Sequence, residues 1–436
     1  MDANYANRLQ WFRQFKEHIN ASTSTLVVGI DIGKDTHHAF LGTPAGRTIH
    51  RRLIFENSIQ GFDTLLFLIQ RYMRDEQLCD VVIGVEPTSV YHKPLSEYLI
   101  TMGYQVVYAT NTAIKKNRAI LDGRWDKNDT KDSANVADLV SRGRCHFYDL
   151  PDINLRDIRN LLSLRKRLKK QEHRLMMRIR NNLVAQYFPE LDGAWYRCQQ
   201  ENLAIVRFCL SPHKVAELGF DDFCRMVIRK RRGVRQYQRL RYIYEIAQNS
   251  IGCRLGSAVV FEAQLLVENL QRSREQVREV EEQLYAICES YKEYELLQTI
   301  PGFGPYVSAV VLGAIGYAQR FDNAKQVLRL AGLDLNASRS GKTSRTAVPV
   351  ISKVGKADLR YALYQAAHVA TSLTAEFKAY FKRILKSREK ERGIKTKMRV
   401  KVSAKMLVIA WTLMKTRQPY KAGLLVTDEP VKQRGR

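Results

Sequence analysis

Between about Leu26 and Thr110, short apolar runs alternate with stretches whose apolar residues recur at helical spacing, the pattern of an α/β unit. "TLVVGIDIG" is a continuous apolar run ending in glycine, as expected for a buried strand. "HHAFLGTPAGRTIHRRLIF" reads as two strands around a Pro-Ala-Gly turn, a hairpin. "SIQGFDTLLFLIQRYMRD" predicts a helix capped by Ser58. "DVVIGVEP" predicts a second buried strand stopped by Pro87, and a helix over "SVYHKPLSEYLITMG" follows it and ends at Gly103. "YQVVYAT" is the third buried strand, and a basic helical stretch, "AIKKNRAI", leads into "KNDTKDSANVADL".

After Pro151 the periodicity becomes helical. "NLRDIRNLLSLRKRLKKQEHRLMMRIRNNLVAQYF" predicts one long helix with a thick basic face. Residues 190–250 are mixed and basic, densest at "VIRKRRGVRQYQRLRY". A second long helix, "AQLLVENLQRSREQVREVEEQLYAICESYKEYELLQ", has heptad-like apolar spacing. The two can pair as a coiled coil within a chain or between chains. A third unit starts near Leu296 with "TIPGFGPYVSAVVLGAIG". The expected fold class is therefore α/β plus all-α. It comprises an extension (1–25), an α/β domain (26–150), a helical coiled-coil region with a basic insertion (151–295), a mainly helical domain (296–375) and a basic tail (376–436) ending in a polar segment expected to be disordered.

Charge narrows the partners. The 436 residues carry 71 Lys plus Arg against 44 Asp plus Glu, a formal net charge of +27. Such an excess points to nucleic acid, because each cation that neutralises a phosphate releases a condensed counterion. No apolar run approaches the ~18 residues of a membrane span, and the first residues lack the apolar core of a secretory signal. Seven cysteines, an odd number without a C-x-x-C pair, suggest reduced thiols and offer no zinc site. Of the histidines only His37 and His38 adjoin, and neighbours on a strand face opposite ways. The expectation is a soluble, cytoplasmic polyanion-binding protein.

Carboxylates stand out against this basic background. Asp31 lies at the end of the first strand and Glu86 at the end of the second; Asp129 and Asp132 sit at i and i+3 of a helix start. If the strands are parallel neighbours, the four converge and repel unless cations lie between them. Mg²⁺ (or Mn²⁺) suits oxygen ligands and keeps positions open for phosphate and water. Two such ions ~3.5–4 Å apart clamp the entering and leaving oxygens of a phosphodiester. Each residue also has an ordinary reading: a strand exit for Asp31, a turn for Glu86, an N-cap for Asp129, a first-turn acid for Asp132. Asp122 and Asp126 lie just upstream and can replace one of the pair; Lys34 and Asp35 read as turn residues.

"VGIDIGKDTHHAF", "IGVEPTSVYHKPL" and "KNDTKDSANVADL" resemble the three segments of the DEDD-type insertion-sequence transposases. That family includes the pilin-gene invertases and the bridge-RNA-guided recombinases. "IPGFGPYVSAVVLGAIG", "AGLDLNASRSGKTSR" and "ISKVGKADLRYALYQAA" resemble its C-terminal part, in order. The resemblance implies a RuvC-like (ribonuclease H-fold) first domain, with Asp31, Glu86, Asp129 and Asp132 holding Mg²⁺. It further implies a serine in the second domain that links covalently to DNA. Because that serine precedes a glycine, it maps to Ser340, with Ser338 close enough to compete. Also implied are DNA as substrate, homo-oligomers (dimer or tetramer) through the helical region, a bacterial nucleoid-associated location and, for some members, a structured guide RNA. Departures from the pattern are Ser133 after the second aspartate and Leu335 where proline is frequent.

Read physically, "IPGFGP" looks like the turn of a helix-hairpin-helix, whose glycines let backbone approach a phosphate; a plain turn between core helices fits equally. Ser340 lies in "NASRSGKTSRT", where Arg339, Lys342 and Arg345 can stabilise a phosphate. A serine hydroxyl needs activation, and no histidine is near in sequence, so the activator is sought in the distant metal site. Lys353, Lys356 and Arg360 surround a helix start, suited to phosphate or RNA. The rivals are a RuvC-like nuclease using metal-activated water, a sugar-kinase or actin-like ATPase, and a binding protein with a decayed site. The ATPase should show a second Gly-rich phosphate motif, and the C-terminal half has none.

Overall fold

The computed structural model describes residues 8–87, 89–121, 129–148, 150–193, 195, 199–228, 233–336 and 350–425. The chain divides into two compact units, one running to Asp152 and including Gln319–Asn323, the other formed by Ile153–Ala318 and the residues from Ala324 onward.

In the first unit, helix α1 (Arg8–Ala21) precedes strands β1 (Thr25–Ile32), β2 (Thr36–Gly42) and β3 (Thr48–Glu56). Helix α2 (Ile59–Asp75), β4 (Asp80–Val85), α3 (His92–Thr101), β5 (Gln105–Tyr108), α4 (Asn111–Leu121), α5 (Asp129–Ser141) and β6 (His146–Phe147) complete it. The six strands form one mixed sheet in the order β3-β2-β1-β4-β5-β6. β1, β4 and β5 run parallel, as strands joined by crossover helices must, while the predicted hairpin places β2 and β3 antiparallel at one edge. Ser58 caps α2 as expected, its hydroxyl accepting from the Gly61 N–H. The two-residue β6 has too few residues to leave a periodic signal.

Both faces of this sheet are covered, so β1 is apolar on both sides. Leu26, Val28, Ile30 and Ile32 pack with Phe62, Leu65 and Ile69 of α2 and Leu95 and Leu99 of α3. Val27, Val82 and Val107 pack on the other face with Val136, Ala137 and Val140 of α5. Phe15 and Ile19 of α1 are buried in that second cluster, Phe15 meeting Phe147 edge-on at 5.3 Å, so α1, placed in the presumed extension, contributes to this core.

His37 and His38 do face opposite ways. His37 is fully buried, its ring 5.2 Å from Phe55 and 6.2 Å from Phe62. Burial holds its pKa below the usual histidine value; the nearby Asn57 amide offsets this only in part, and neither ring nitrogen makes a well-aligned hydrogen bond. The unfolded chain therefore takes up a proton that the folded chain resists. Stability present above about pH 6.5 falls as pH drops through that value, by at most about 1.4 kcal/mol per unit. Thermal denaturation from pH 8 to 5 should show this slope, and His37→Phe should flatten it.

In the second unit, α6 (Ile153–Arg178) continues through a π-helical turn, Ile179–Val184. The helices α7 (Ala185–Tyr187), α8 (Pro189–Gly193), α9 (Gln199–Phe208), α10 (Pro212–Glu217), α11 (Phe220–Val227) and α12 (Val234–Gln248) come next. Then α13 (Ser257–Glu289) returns along α6. Arg165 pairs with Glu281 at 2.6 Å, Arg274 with Glu172 at 3.1 Å and Arg178 with Glu262 at 2.8 Å. Residue numbers rise on one helix as they fall on the other, so the two are antiparallel within one chain. Leu266, Leu270, Val277, Val280 and Leu284 supply the buried stripe of α13. The basic stretch at 190–250 is itself packed, with Trp195, Phe223, Leu240 and Ile243 in one core.

Helices α14 (Lys292–Gln298), α15 (Pro305–Ile315) and α16 (Ala324–Ala331) lead to a two-stranded ladder, β7 (Leu335–Asn336) with β8 (Val350–Ile351). α17 (Ala357–Leu373), α18 (Ala375–Leu385) and α19 (Ile394–Thr416) follow. The segment read as a basic tail thus contains a core helix: Val402, Met406, Leu407, Ala410 and Met414 of α19 are buried. Lysines and arginines interleave with its apolar residues and mask the periodicity. No helix among the described residues is long and apolar enough to cross a membrane.

Candidate active site

The parity of β1 and β4 decides where the strand-end carboxylates point. Side chains alternate along a strand, so Asp31 shares a face with Gly29 and Val27, and Glu86 shares one with Gly84 and Val82. That is the face of α5. The two strands are parallel neighbours with Gly29 opposite Gly84, and the Glu86 N–H donates to the Ile30 carbonyl at 3.1 Å, so Asp31 and Glu86 leave the sheet side by side.

The glycine pair makes a trough for α5. A Cβ on Gly29 would lie 2.2 Å from the Ser133 carbonyl oxygen and 2.5 Å from the Ala137 nitrogen; one on Gly84 would lie 2.4 Å from Val140 Cγ2. Only glycine permits such contact. The helix therefore sits on the sheet with its first turns beside the strand ends, which brings Asp132 to the carboxylates. A glycine two residues before an acid on each strand, "GID" and "GVE", was the sequence signal for this arrangement.

Buried polar groups tie α4 to α5. Asn117 Nδ2 donates to Asn135 Oδ1 and to Asp138 Oδ2, each at 2.8 Å, and Asn135 Nδ2 donates to the Ile114 carbonyl at 2.9 Å. The next residue on α4, Arg118, places Nη2 2.5 Å from Oδ1 of Asp132, whose side chain is 1% exposed. This contact is close but not aligned as a hydrogen bond: Asp132 Oδ1 and Arg118 Nε have no hydrogen-bond partner among the described residues.

Asp31, Glu86 and Asp132 line one cleft of about 540 Å³ with Lys34, Asp35, His38, Lys115 and Arg118. Lys34 and Asp35 are turn residues as expected, their carbonyls accepting from Asn57, and they also face the cleft. His38, opposite Asp31 across β1 and β2, is a further lining residue that spacing alone did not single out. Asp129 opens α5, but its side chain lies outside the described part of the structure, and Asp122 and Asp126 lie outside the described residues altogether. Among the described residues, no three carboxylate, histidine or cysteine side chains form a group able to hold an ion as they stand. The donors still fit a hard divalent cation: they are oxygens, and a buried carboxylate oxygen is left without a hydrogen bond.

In the second unit, Gly302 of the "IPGFGP" turn has φ +87°, and a Cβ there would lie 2.5 Å from the Ala366 carbonyl of α17. Its conformational freedom thus serves internal packing. Pro305 follows the N-cap Gly304 and opens α15, and Arg159 Nε donates to the Gly313 carbonyl near the other end of that helix. Ser338, Arg339, Ser340, Lys342 and Arg345 lie outside the described residues, in the segment that joins β7 to β8. The base of that segment is pinned: Ser352 Oγ donates to Asp334 Oδ1 at 2.5 Å, and Arg360 Nη1 donates to the Ala331 carbonyl at 2.8 Å. Arg360 is half-buried and engaged within the fold, while Lys353 and Lys356 are exposed.

A family model for DEDD-type IS110 transposases matches residues 28–189, and the model of the transposase IS116/IS110/IS902 family matches residues 294–382. The chain belongs to the IS110 family of DEDD transposases. It is similar to an uncharacterised 43.6 kDa protein of insertion element IS110 from Streptomyces coelicolor, 25% identical over 332 residues that cover 72% of this chain and 76% of that protein. It is also similar to the transposase for insertion sequence element IS1111A of Coxiella burnetii, 24% identical over 303 residues, 68% of this chain and 69% of that protein. The first match includes the cleft carboxylates and the second includes Ser340. A DEDD-type family implies use of divalent metal.

Proposed function

We propose that this IS110-family transposase cuts and rejoins DNA through a serine-linked intermediate, with Asp31, Glu86, Asp129 and Asp132 as its metal-holding carboxylates and Ser340 as its nucleophile. The observation that carries the first half is the convergence of Asp31, Glu86 and Asp132 on one cleft lined also by Lys34, Lys115 and Arg118. Mg²⁺ or Mn²⁺ held there would supply Lewis acidity at the phosphodiester. The lysines hold the backbone phosphates against an otherwise repulsive acidic floor. Ser340 Oγ gives up its proton and forms a bond to phosphorus, the P–O bond to the departing strand breaks, and the released strand oxygen takes up a proton to become a hydroxyl. Attack by the incoming strand's hydroxyl reverses this sequence on new DNA and frees Ser340. One phosphoester replaces another at each step, so no external energy source is required.

Arg339, Lys342 and Arg345 flank Ser340 and are assigned to the phosphate in transfer; exposed Lys353 and Lys356 are assigned to nucleic-acid backbone, with Arg360 supporting their loop. A structured guide RNA and a dimer or tetramer through the helical region complete the proposal. The net charge of +27 supports large phosphate surfaces. The test is covalent trapping in cells that express the protein with its native flanking DNA, followed by nuclease digestion and mass spectrometry. A nucleotide on Ser340, lost in Ser340→Ala, is the expected result. Metal-dependent nicking with no serine adduct would instead identify a nuclease that uses metal-activated water.

A further inference from the structure

Asp132 is a buried carboxylate on a cleft that Asp31 and Glu86 also line, and the cation that stands against it belongs to the protein. Arg118 Nη2 lies 2.5 Å from Asp132 Oδ1, the side chains being 23% and 1% exposed. The pair is unequal. Asp132 is enclosed, whereas Arg118 reaches in from the cleft wall, and its Nε lacks a hydrogen-bond partner among the described residues. A guanidinium in its best carboxylate geometry makes two parallel bonds; here the alignment fails for even one. The backbone beneath it is held, because the neighbouring Asn117 is locked to Asn135 and Asp138. A long side chain on a fixed base, held at its tip by one close but misaligned contact, can exchange partners without moving the helix.

We propose that Arg118 is the resident counter-ion of Asp132 in the metal-free cleft and becomes a ligand for a DNA phosphate once a divalent ion takes the carboxylate. This rests on the assignment of Asp132 to the metal site. Arg118 then does two things in turn. Without metal it neutralises a carboxylate that would otherwise be buried unpaired beside Asp31 and Glu86. With metal, its planar donors are released at the mouth of the same cleft, near Lys34 and Lys115, where a phosphate backbone enters. Metal binding and phosphate binding are thereby coupled: each favours the state in which Arg118 has left Asp132.

The experiment uses full-length protein stripped with EDTA, without DNA, in four forms: wild type, Arg118→Gln, Arg118→Lys and Asp132→Asn. Mn²⁺ is titrated in and free Mn²⁺ is read by electron paramagnetic resonance. With its competing cation gone, Arg118→Gln should bind Mn²⁺ about 10-fold more tightly than wild type, and Arg118→Lys should stay near wild type. Thermal melts should show a larger rise in Tm on adding Mn²⁺ for Arg118→Gln than for wild type. If that variant is unfolded in EDTA, recovery of its circular dichroism with Mn²⁺ supports the proposal and failure to recover overturns it. A folded Arg118→Gln protein with unchanged or weaker Mn²⁺ affinity also overturns it.

A second readout separates partner exchange from a structural role. With Mn²⁺ present, the slope of log DNA affinity against log salt should fall by about one in Arg118→Gln, and without Mn²⁺ it should match wild type. Equal slopes under both conditions would exclude the phosphate role. Asp132→Asn keeps the two readings apart. If it binds Mn²⁺ as wild type does, the carboxylate assignment itself fails; if it loses Mn²⁺ while Arg118→Gln is unchanged, only the Arg118 inference fails.

Discussion

Asp132→Asn is expected to lower DNA strand cleavage at least about 10³-fold, equivalent to about 4 kcal/mol of transition-state stabilisation. The amide keeps the size of the carboxylate but removes the charge that would hold a divalent ion. The fold should survive, because the partner left behind is Arg118, which is partly exposed and can hydrate. The reverse deletion leaves a buried carboxylate and is the harsher one. Cleavage of a labelled element-end substrate is the assay, with circular dichroism and filter binding as controls. Intact binding with lost cleavage places Asp132 in the chemistry. Wild-type cleavage by the mutant removes it from the site.

Gly29→Ala should destabilise the first unit by about 3 kcal/mol or more, beyond the usual cost of one added methyl group. Its Cβ would meet backbone, the Ser133 oxygen at 2.2 Å and the Ala137 nitrogen at 2.5 Å, and backbone cannot rotate away. Helix α5 must lift, taking Asp132 with it, so cleavage should fall even at temperatures where the mutant remains folded. Gly84→Ala provides the contrast. Its nearest obstacle is a side-chain methyl of Val140, and the double mutant Gly84→Ala/Val140→Ala should recover much of the loss, whereas no side-chain deletion repairs Gly29→Ala. Urea denaturation of the three variants and wild type, with cleavage measured alongside, tests this. Equal stability of Gly29→Ala and wild type would show that the close packing of α5 on β1 is wrong.

Much of the first unit was legible locally. Apolar runs, the Pro-Ala-Gly turn and the Ser58 cap act within a few residues, so β1 to β5, α2 and α3 appear close to where the pattern puts them. The last helix was not, because lysines and arginines interrupt the apolar stripe of α19; the burial of Met406 and Met414 depends on the helices packed around it. The Ser340 segment was legible only by resemblance. Its small polar and basic residues have no periodicity, and it lies outside the described residues.

The sequence by itself determined which residue types were available: acids at two strand ends and at a helix start, in a chain otherwise rich in cations. Local spacing also placed the glycines two residues ahead of two of those acids. Tertiary structure alone decided that these acids share a cleft. In a strand buried on both faces, apolar residues occupy both parities, and only the glycine two residues earlier hints at which way Asp31 points; the face was chosen by the parallel register of β1 with β4 and by α5 lying over Gly29 and Gly84. It also decided that Arg118, from another helix, stands against Asp132, because that pairing depends on how α4 and α5 are locked together through Asn117 and Asn135.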